Sequence, residues 1–224
     1  MTYIVAENLV KQYQNGHSPV TAISDINFEI GAGEFVAIMG ESGAGKSTLL
    51  SIMGAMNAPT SGSLRVDDID IYHLRQDQRA DFRREFLGFV FQSFHLIPYL
   101  TVEENVMLPL TTVKKSGRIK KAMAEKALTS VGLQGKSQRL PNQISGGEKE
   151  RVAIARAIVN QPRVLLADEP TGNLDSKTTR EIMELLQRLN SEDMTIIMVT
   201  HSHECAGYTR RILEVNDGRL VESG

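Results

Sequence analysis

The sequence contains a single cysteine, Cys205, in 224 residues. That excludes an internal disulfide framework and any zinc site built on cysteines. No apolar run approaches the ~20 residues that a bilayer-spanning helix needs. The stretch from Met1 to Lys11 lacks the basic start and apolar core of a secretion signal. There is no basic excess either: 25 Lys and Arg stand against 27 Asp and Glu, a net charge of −2. Nucleic-acid binders usually carry such an excess, so no nucleic acid is expected as a partner. Short repeats and low-complexity tracts are also missing. These absences predict a cytosolic protein that serves a membrane only through a partner.

What is present is the composition of a folded chain, 41% hydrophobic and 23% charged residues. At roughly 100–200 residues per domain, the length suits one large domain or a core with a substantial insert. Pattern divides the chain into three regions. The first, to about Phe91, carries strand-like runs at Tyr3–Ala6, Ile23–Ile30, Glu34–Met39 and Phe86–Phe91, and an apolar helix at Ser47–Met56. The second, about Gln92 to Val159, turns helical at Ile119–Val131 and Glu148–Val159. Its lysine-rich run, Lys114–Lys121, reads as the solvated start of a helix. The third alternates again: strand Arg163–Ala167, helix Lys177–Leu189, strand Thr195–Thr200, then a closing hairpin of Ile212–Val215 and Leu220–Glu222 around Asn216-Asp217-Gly218-Arg219. Strand and helix alternation interrupted by a helical block predicts an α/β core with an inserted helical subdomain.

Three motifs carry chemistry. Gly40-Glu41-Ser42-Gly43-Ala44-Gly45-Lys46-Ser47 fits G-x-x-x-x-G-K-[ST], with a buried strand before it and a helix after it. Glycines let successive N–H groups turn inward toward phosphate oxygens, and the helix start adds its positive end. Lys46 supplies charge for the β- and γ-phosphates, and the Ser47 hydroxyl is a ligand for Mg²⁺. Second, the apolar strand at Arg163–Ala167 runs into Asp168-Glu169. Asp168 is placed to hold Mg²⁺, and Glu169 to polarise an attacking water, which suits hydrolysis better than transfer to a kinase substrate. Third, Ser145-Gly146-Gly147-Glu148 precedes a helix. Spacing alone leaves two readings open: an S-x-x-E capping box, or a glycine-lined helix start that admits a phosphate.

The order of these motifs, with Gln92 after Phe89-Val90-Phe91, Asn173-Leu174-Asp175, and His201 after a strand, resembles the nucleotide-binding subunit of an ATP-binding cassette (ABC) transporter. The resemblance covers essentially the whole chain. It is nearest the group containing the lipoprotein-releasing ATPase LolD, the macrolide exporter MacB and the cell-division ATPase FtsE, on Ala167–Asp175 and Gln92–Pro98. Ile144 and Glu148 stand where Leu and Gln are usual.

The resemblance implies a P-loop NTPase (RecA-like) core with N-terminal antiparallel β-strands and an inserted α-helical subdomain. Residues 1–224 would form one nucleotide-binding domain, with 1–91 and 160–224 as the ATP-binding core and 92–159 as the insert. It implies an ATPase using Mg²⁺, with catalytic Lys46, Gln92, Glu169 and His201. Tyr13 would stack on adenine, residues Gly40 to Thr48 would hold the phosphates, and Ser47, Gln92 and Asp168 would hold the metal. It implies a head-to-tail homodimer with two ATP molecules, each between one phosphate loop and the partner's Ser145, Gly146, Gly147 and Glu148, with Asp175 communicating across the interface. Residues 93–110 would grip an integral membrane permease, through Phe94, Leu96, Ile97, Tyr99 and Leu100 or some of them, the rest being local packing. The protein would then sit on the inner face of a bacterial cell membrane, driving export, lipoprotein release or force transmission. Taken without the resemblance, His201 and His203 read as surface histidines; His203 keeps that reading, and no functional role is assigned to Cys205.

Two other classes fit less well. A soluble ABC-type ATPase of DNA repair or translation would carry coiled-coil arms, duplicated motifs or a basic excess. A P-loop kinase or GTPase leaves Ser145–Glu148 and His201 unexplained, and the N-K-x-D guanine motif is absent. One copy of each motif means that the chain holds both halves of an ATP site, facing apart until a second copy arrives.

Overall fold

The computed structural model describes residues 2–15 and 18–221. Its strands are β1 (Thr2–Asn15), β2 (Ser18–Gly31), β3 (Phe35–Met39), β4 (Ser61–Val66), β5 (Ile69–Asp70), β6 (Leu87–Val90), β7 (Val164–Asp168), β8 (Thr195–Val199), β9 (Arg211–Asn216) and β10 (Arg219–Val221). Its α-helices are α1 (Lys46–Met53), α2 (Gln76–Phe86), α3 (Val102–Met107), α4 (Gly117–Ser130), α5 (Gly146–Ile158), α6 (Ser176–Ser191) and α7 (His203–Ala206).

A six-stranded sheet in the order β10-β9-β3-β8-β7-β6 forms the spine. β9, β3, β8, β7 and β6 run parallel, and β10 is antiparallel at the edge. Parallel strands need crossovers, and these cover both faces of the sheet, so its central strands read as continuous apolar runs. The period of two then sorts each strand between two cores. Phe35, Ala37, Met39, Leu165, Ala167, Ile196 and Met198 face the layer that includes α3, α4, α5 and α6. Val36, Ile38, Val164, Leu166, Ile197 and Val199 face α1 and the β1–β2 ribbon. α6 reaches the first core with Ile182, Met183, Leu185, Leu186 and Leu189, a stripe at helical spacing.

The second sheet is antiparallel, in the order β2-β1-β4-β5. Its long β1–β2 ribbon buries Ile4, Ala6, Leu9, Ile23, Ile26, Phe28 and Ile30 over the central sheet. α3, α4 and α5 lie between β6 and β7 in the chain, and their apolar residues are continuous with the core on that face.

Several elements differ from the sequence expectation. The strand expected at Tyr3–Ala6 runs on to Asn15, because ladder hydrogen bonds to β2 hold polar residues that show no clean alternation. α2 falls in the first region just before the Phe86–Phe91 run, where the sequence predicts no element. It buries only Phe82, so it offers no apolar stripe to read. It also takes Phe86, and the following strand starts at Leu87. α1 stops at Met53 rather than Met56, since the chain turns at Gly54 and Ala55 takes a positive φ of 54°. α4 and α5 each begin two residues early, at serine N-caps Ser116 and Ser145. The closing hairpin forms as expected through Asp217 (φ 43°) and Gly218 (φ 75°). Glu222 lies outside the described residues.

Candidate active site

The phosphate loop joins the carboxyl end of β3 to α1. Its shape demands glycine at two positions. Gly40 has φ 146°, and a Cβ there would stand 2.0 Å from the Val215 carbonyl oxygen. Gly45 has φ 103°, and a Cβ would stand 2.4 Å from the Ala22 carbonyl oxygen. No side chain caps the start of α1 and no acid lies in its first turn. The first-turn N–H groups and the positive helix end are therefore left for an anion. Lys46 is buried, and its ammonium donates to the carbonyls of Gly40 (2.8 Å) and Glu41 (2.7 Å), so the charge is folded over the loop. Glu41, Ser42 and Gly43 are exposed, Ala44 is buried and Thr48 half-buried on α1.

Strand order brings the remaining groups to this loop. Ser47 Oγ lies 3.4 Å from Asp168 Oδ1, at the end of β7. Burial pushes the Asp168 carboxyl above its ordinary range; Ser47 and Lys46 pull it down, and adjacent Glu169 pushes it up. A hydroxyl and a carboxylate meeting beside a phosphate-shaped cradle are hard oxygen donors, which fits Mg²⁺. Glu169 has a left-handed φ of 49°, held by its N–H on the Val199 carbonyl (2.9 Å). That geometry is costly for a side chain of this kind. Glu169 Oε2 reaches His201 Nδ1 at 2.5 Å, across the end of β8. Gln92 follows β6. Its carbonyl accepts from Asn173 Nδ2 at 2.9 Å, and its amide nitrogen sits against Gly172, in the turn after Glu169. Lys46, Ser47, Gln92, Asp168, Glu169 and His201 thus converge at the carboxyl ends of β3, β6, β7 and β8, where α/β sheets bind ligands.

The other expected residues lie apart. Ser145 caps α5: its Oγ accepts from Glu148 N (3.3 Å), and Glu148 Oε2 accepts from Ser145 N (2.8 Å). The capping box is therefore real, and the second Glu148 oxygen pairs with Lys136. None of these bonds reaches the phosphate loop. Gly146 lies near Leu174, and Gly147 rests on Thr178, where a Cβ would stand 2.4 Å from Cγ2. Asp175 caps α6 through Lys177 N (3.1 Å) and Thr178 N (3.0 Å), and Thr178 Oγ1 donates to it at 2.6 Å. Tyr13 is 41% exposed on β1, with Lys11 Nζ 5.1 Å from its ring centre and its hydroxyl accepting from Asn57 Nδ2 (2.5 Å). In 93–110, Tyr99 is 78% exposed, while Phe94, Leu96, Ile97 and Leu100 are half-buried. His203 is exposed, as a surface histidine would be, and Cys205 is a buried free thiol.

Two α5 residues escaped the sequence reading. Arg156 donates to the carbonyls of Phe94 (2.6 Å) and His95 (2.5 Å), both at left-handed φ, and so pins the loop after Gln92. Glu150 is fully buried with neither carboxyl oxygen hydrogen-bonded. Burial pushes it up to about 8, against the pull of Arg156. Charged residues inside the apolar spacing of α5 were the available signal.

Comparison with known proteins accords with this geometry. The family model described as ABC transporter matches residues 23–172. The ABC transporter ATP-binding protein YvrO of Bacillus subtilis is 46% identical, over 97% of this chain and 95% of its own. The macrolide export ATP-binding/permease protein MacB of Mannheimia succiniciproducens is 42% identical over 99% of this chain, which spans 34% of that longer protein. A dimeric structure of the ABC transporter cassette MJ0796 superimposes with a TM-score of 0.89 at 43% identity, covering 98% of this chain and 97% of that one. A post-hydrolysis dimer of the same cassette is bound to ADP and Pi, with the same TM-score of 0.89. The chain belongs to the ABC transporter family, as one of its ATPase cassettes.

Proposed function

We propose that this chain hydrolyses ATP as a head-to-tail homodimer and drives a separate integral membrane permease from the cytoplasmic face. Residues 1–91 and 160–224 act as the ATP-binding core and 92–159 as the helical arm. The phosphates lie on Gly40 to Thr48, with Lys46 moving from its loop carbonyls onto the β- and γ-oxygens. Tyr13 stacks on adenine. Ser47, Asp168 and Gln92 hold Mg²⁺, which when bound offsets negative charge on the phosphate oxygens. Glu169 takes a proton from the attacking water. His201 orients that carboxylate and faces the γ-phosphate. The partner's Ser145, Gly146, Gly147 and Glu148 close the site, and Asp175 couples the two sites. Residues 93–110 receive the permease.

The observation that carries this reading is the meeting of Ser47 with Asp168 at 3.4 Å and of Glu169 with His201 at 2.5 Å, at the ends of neighbouring strands. Supporting the two-chain site, Ser145–Glu148 makes its bonds away from the phosphate loop. The dimeric cassette MJ0796 supports the same assembly by analogy. Among the described residues no helix is long and apolar enough to cross a membrane, so the membrane part must be supplied by another segment or chain. Glu169→Gln with saturating ATP tests the reading by light scattering. A stable dimer that hydrolyses slowly is expected; a monomer contradicts it.

A further inference from the structure

Glu148 sets a problem for the site just proposed. It places a carboxylate in the first turn of α5, at the helix end that is to face a triphosphate. Like charges brought together in a partly desolvated interface repel strongly. The structure answers this locally. One carboxylate oxygen is taken by the Ser145 N–H at 2.8 Å. The other is taken by the ammonium of Lys136. Lys136 comes from the loop between α4 and α5, just after Gly135, which takes φ 76°. The Glu148 side chain is 23% exposed and that of Lys136 is 42% exposed, so the charge pair lies at the rim rather than in the core. The hollow beside it, about 380 Å³, is lined by Ser145, Gly147, Glu148, Arg151 and Thr178 among others. The cation that lines this hollow, Arg151, is committed to Glu181 Oε2 (3.2 Å) and the Val131 carbonyl (3.0 Å).

We infer that Lys136 is a positioning residue for ATP-driven dimerisation: it neutralises Glu148 and so makes the Ser145–Glu148 turn acceptable to the partner's ATP. The inference rests on the sandwich reading above. Lys136 acts through Glu148, holding its second oxygen in an ion pair whose net charge is near zero. An uncharged amide at position 148 would make the lysine dispensable.

The test uses full-length chains in the Glu169→Gln background, reading by sedimentation the ATP concentration that gives half-maximal dimer. Lys136→Met should raise that concentration about ten-fold or more, and Lys136→Arg should stay within about three-fold of the parent. Lys136→Met with Glu148→Gln should also return to within about three-fold. A Lys136→Met chain that dimerises like the parent overturns the inference. So does a double variant as impaired as Lys136→Met alone, since the lysine would then act on phosphate or fold and not through Glu148. A melting temperature for each variant tells loss of fold from loss of ATP-driven association: Lys136→Met should melt close to the parent, and a large drop that Glu148→Gln reverses together with the dimer defect would assign the pair to folding and overturn the inference. If the parent itself stays monomeric with ATP, the sandwich reading has failed, and the inference with it.

Discussion

Glu169 and His201 meet at 2.5 Å although they stand on different loops, after β7 and β8. The contact depends on the parallel register that sets Asp168 beside Val199, and on the left-handed turn at Glu169. A carboxylate held by a histidine keeps one orientation toward a water, which is how a positioned base accelerates proton transfer. His201→Ala should lower kcat by about ten-fold or more with little change in ATP affinity, since general-base contributions reach ~10²–10⁴-fold. Single-turnover assays with a parallel binding titration check this. A loss confined to affinity would assign His201 to binding instead.

Lys46 is buried with its ammonium on two loop carbonyls. Lys46→Ala should weaken ATP binding by at least about ten-fold, the equivalent of ~1.4 kcal/mol. Calorimetry measures it directly. Unchanged affinity would remove the phosphate role.

Glu150 gives the fold a pH dependence with a defined sign. Its carboxyl is pushed up to about 8 in the folded protein from an ordinary 4.5, chiefly by burial. Between those values the folded state holds a proton that the unfolded state has released. Stability is therefore full below about pH 4.5 and falls as pH rises through 8, by at most ~1.4 kcal/mol per unit from this group. Glu150→Gln should flatten that slope in urea unfolding at pH 5.5, 7 and 8.5. Parallel slopes in the two proteins would show that the carboxyl is not protonated when buried.

Arg156 fastens the Phe94–His95 turn by two hydrogen bonds from a charged group. Such bonds are worth ~1.5–3 kcal/mol each when desolvated, and the one to His95 is exposed, so water offsets part of its loss. Arg156→Leu should destabilise the chain by roughly 2–4 kcal/mol and raise proteolysis within 92–96. Denaturant midpoints and cleavage mapping report on it. Lysine cannot satisfy both carbonyls with the same fork, so Arg156→Lys should recover only part of the loss.

The phosphate loop was legible in the sequence because its function demands fixed residues at fixed spacing, all within eight positions. The central strands were legible because burial on both faces makes them apolar throughout, as at Phe35–Met39. α2 was not, since one buried Phe82 leaves no stripe. The pairing of Lys136 with Glu148 was hidden for another reason: a loop, and no helical or strand period, brings them together. Gln92 and His201 could be placed only because the order of all the motifs resembled a family. Taken alone, a glutamine and a histidine after apolar runs are ordinary loop residues.

The central claim is that one ATP site needs two chains. The most direct test follows ATPase specific activity and molecular mass together, on the same samples, from nanomolar to micromolar protein with saturating ATP and Mg²⁺. The account predicts specific activity that climbs in step with the dimer fraction. Full specific activity at a concentration where the ATP-bound protein is monomeric would contradict it.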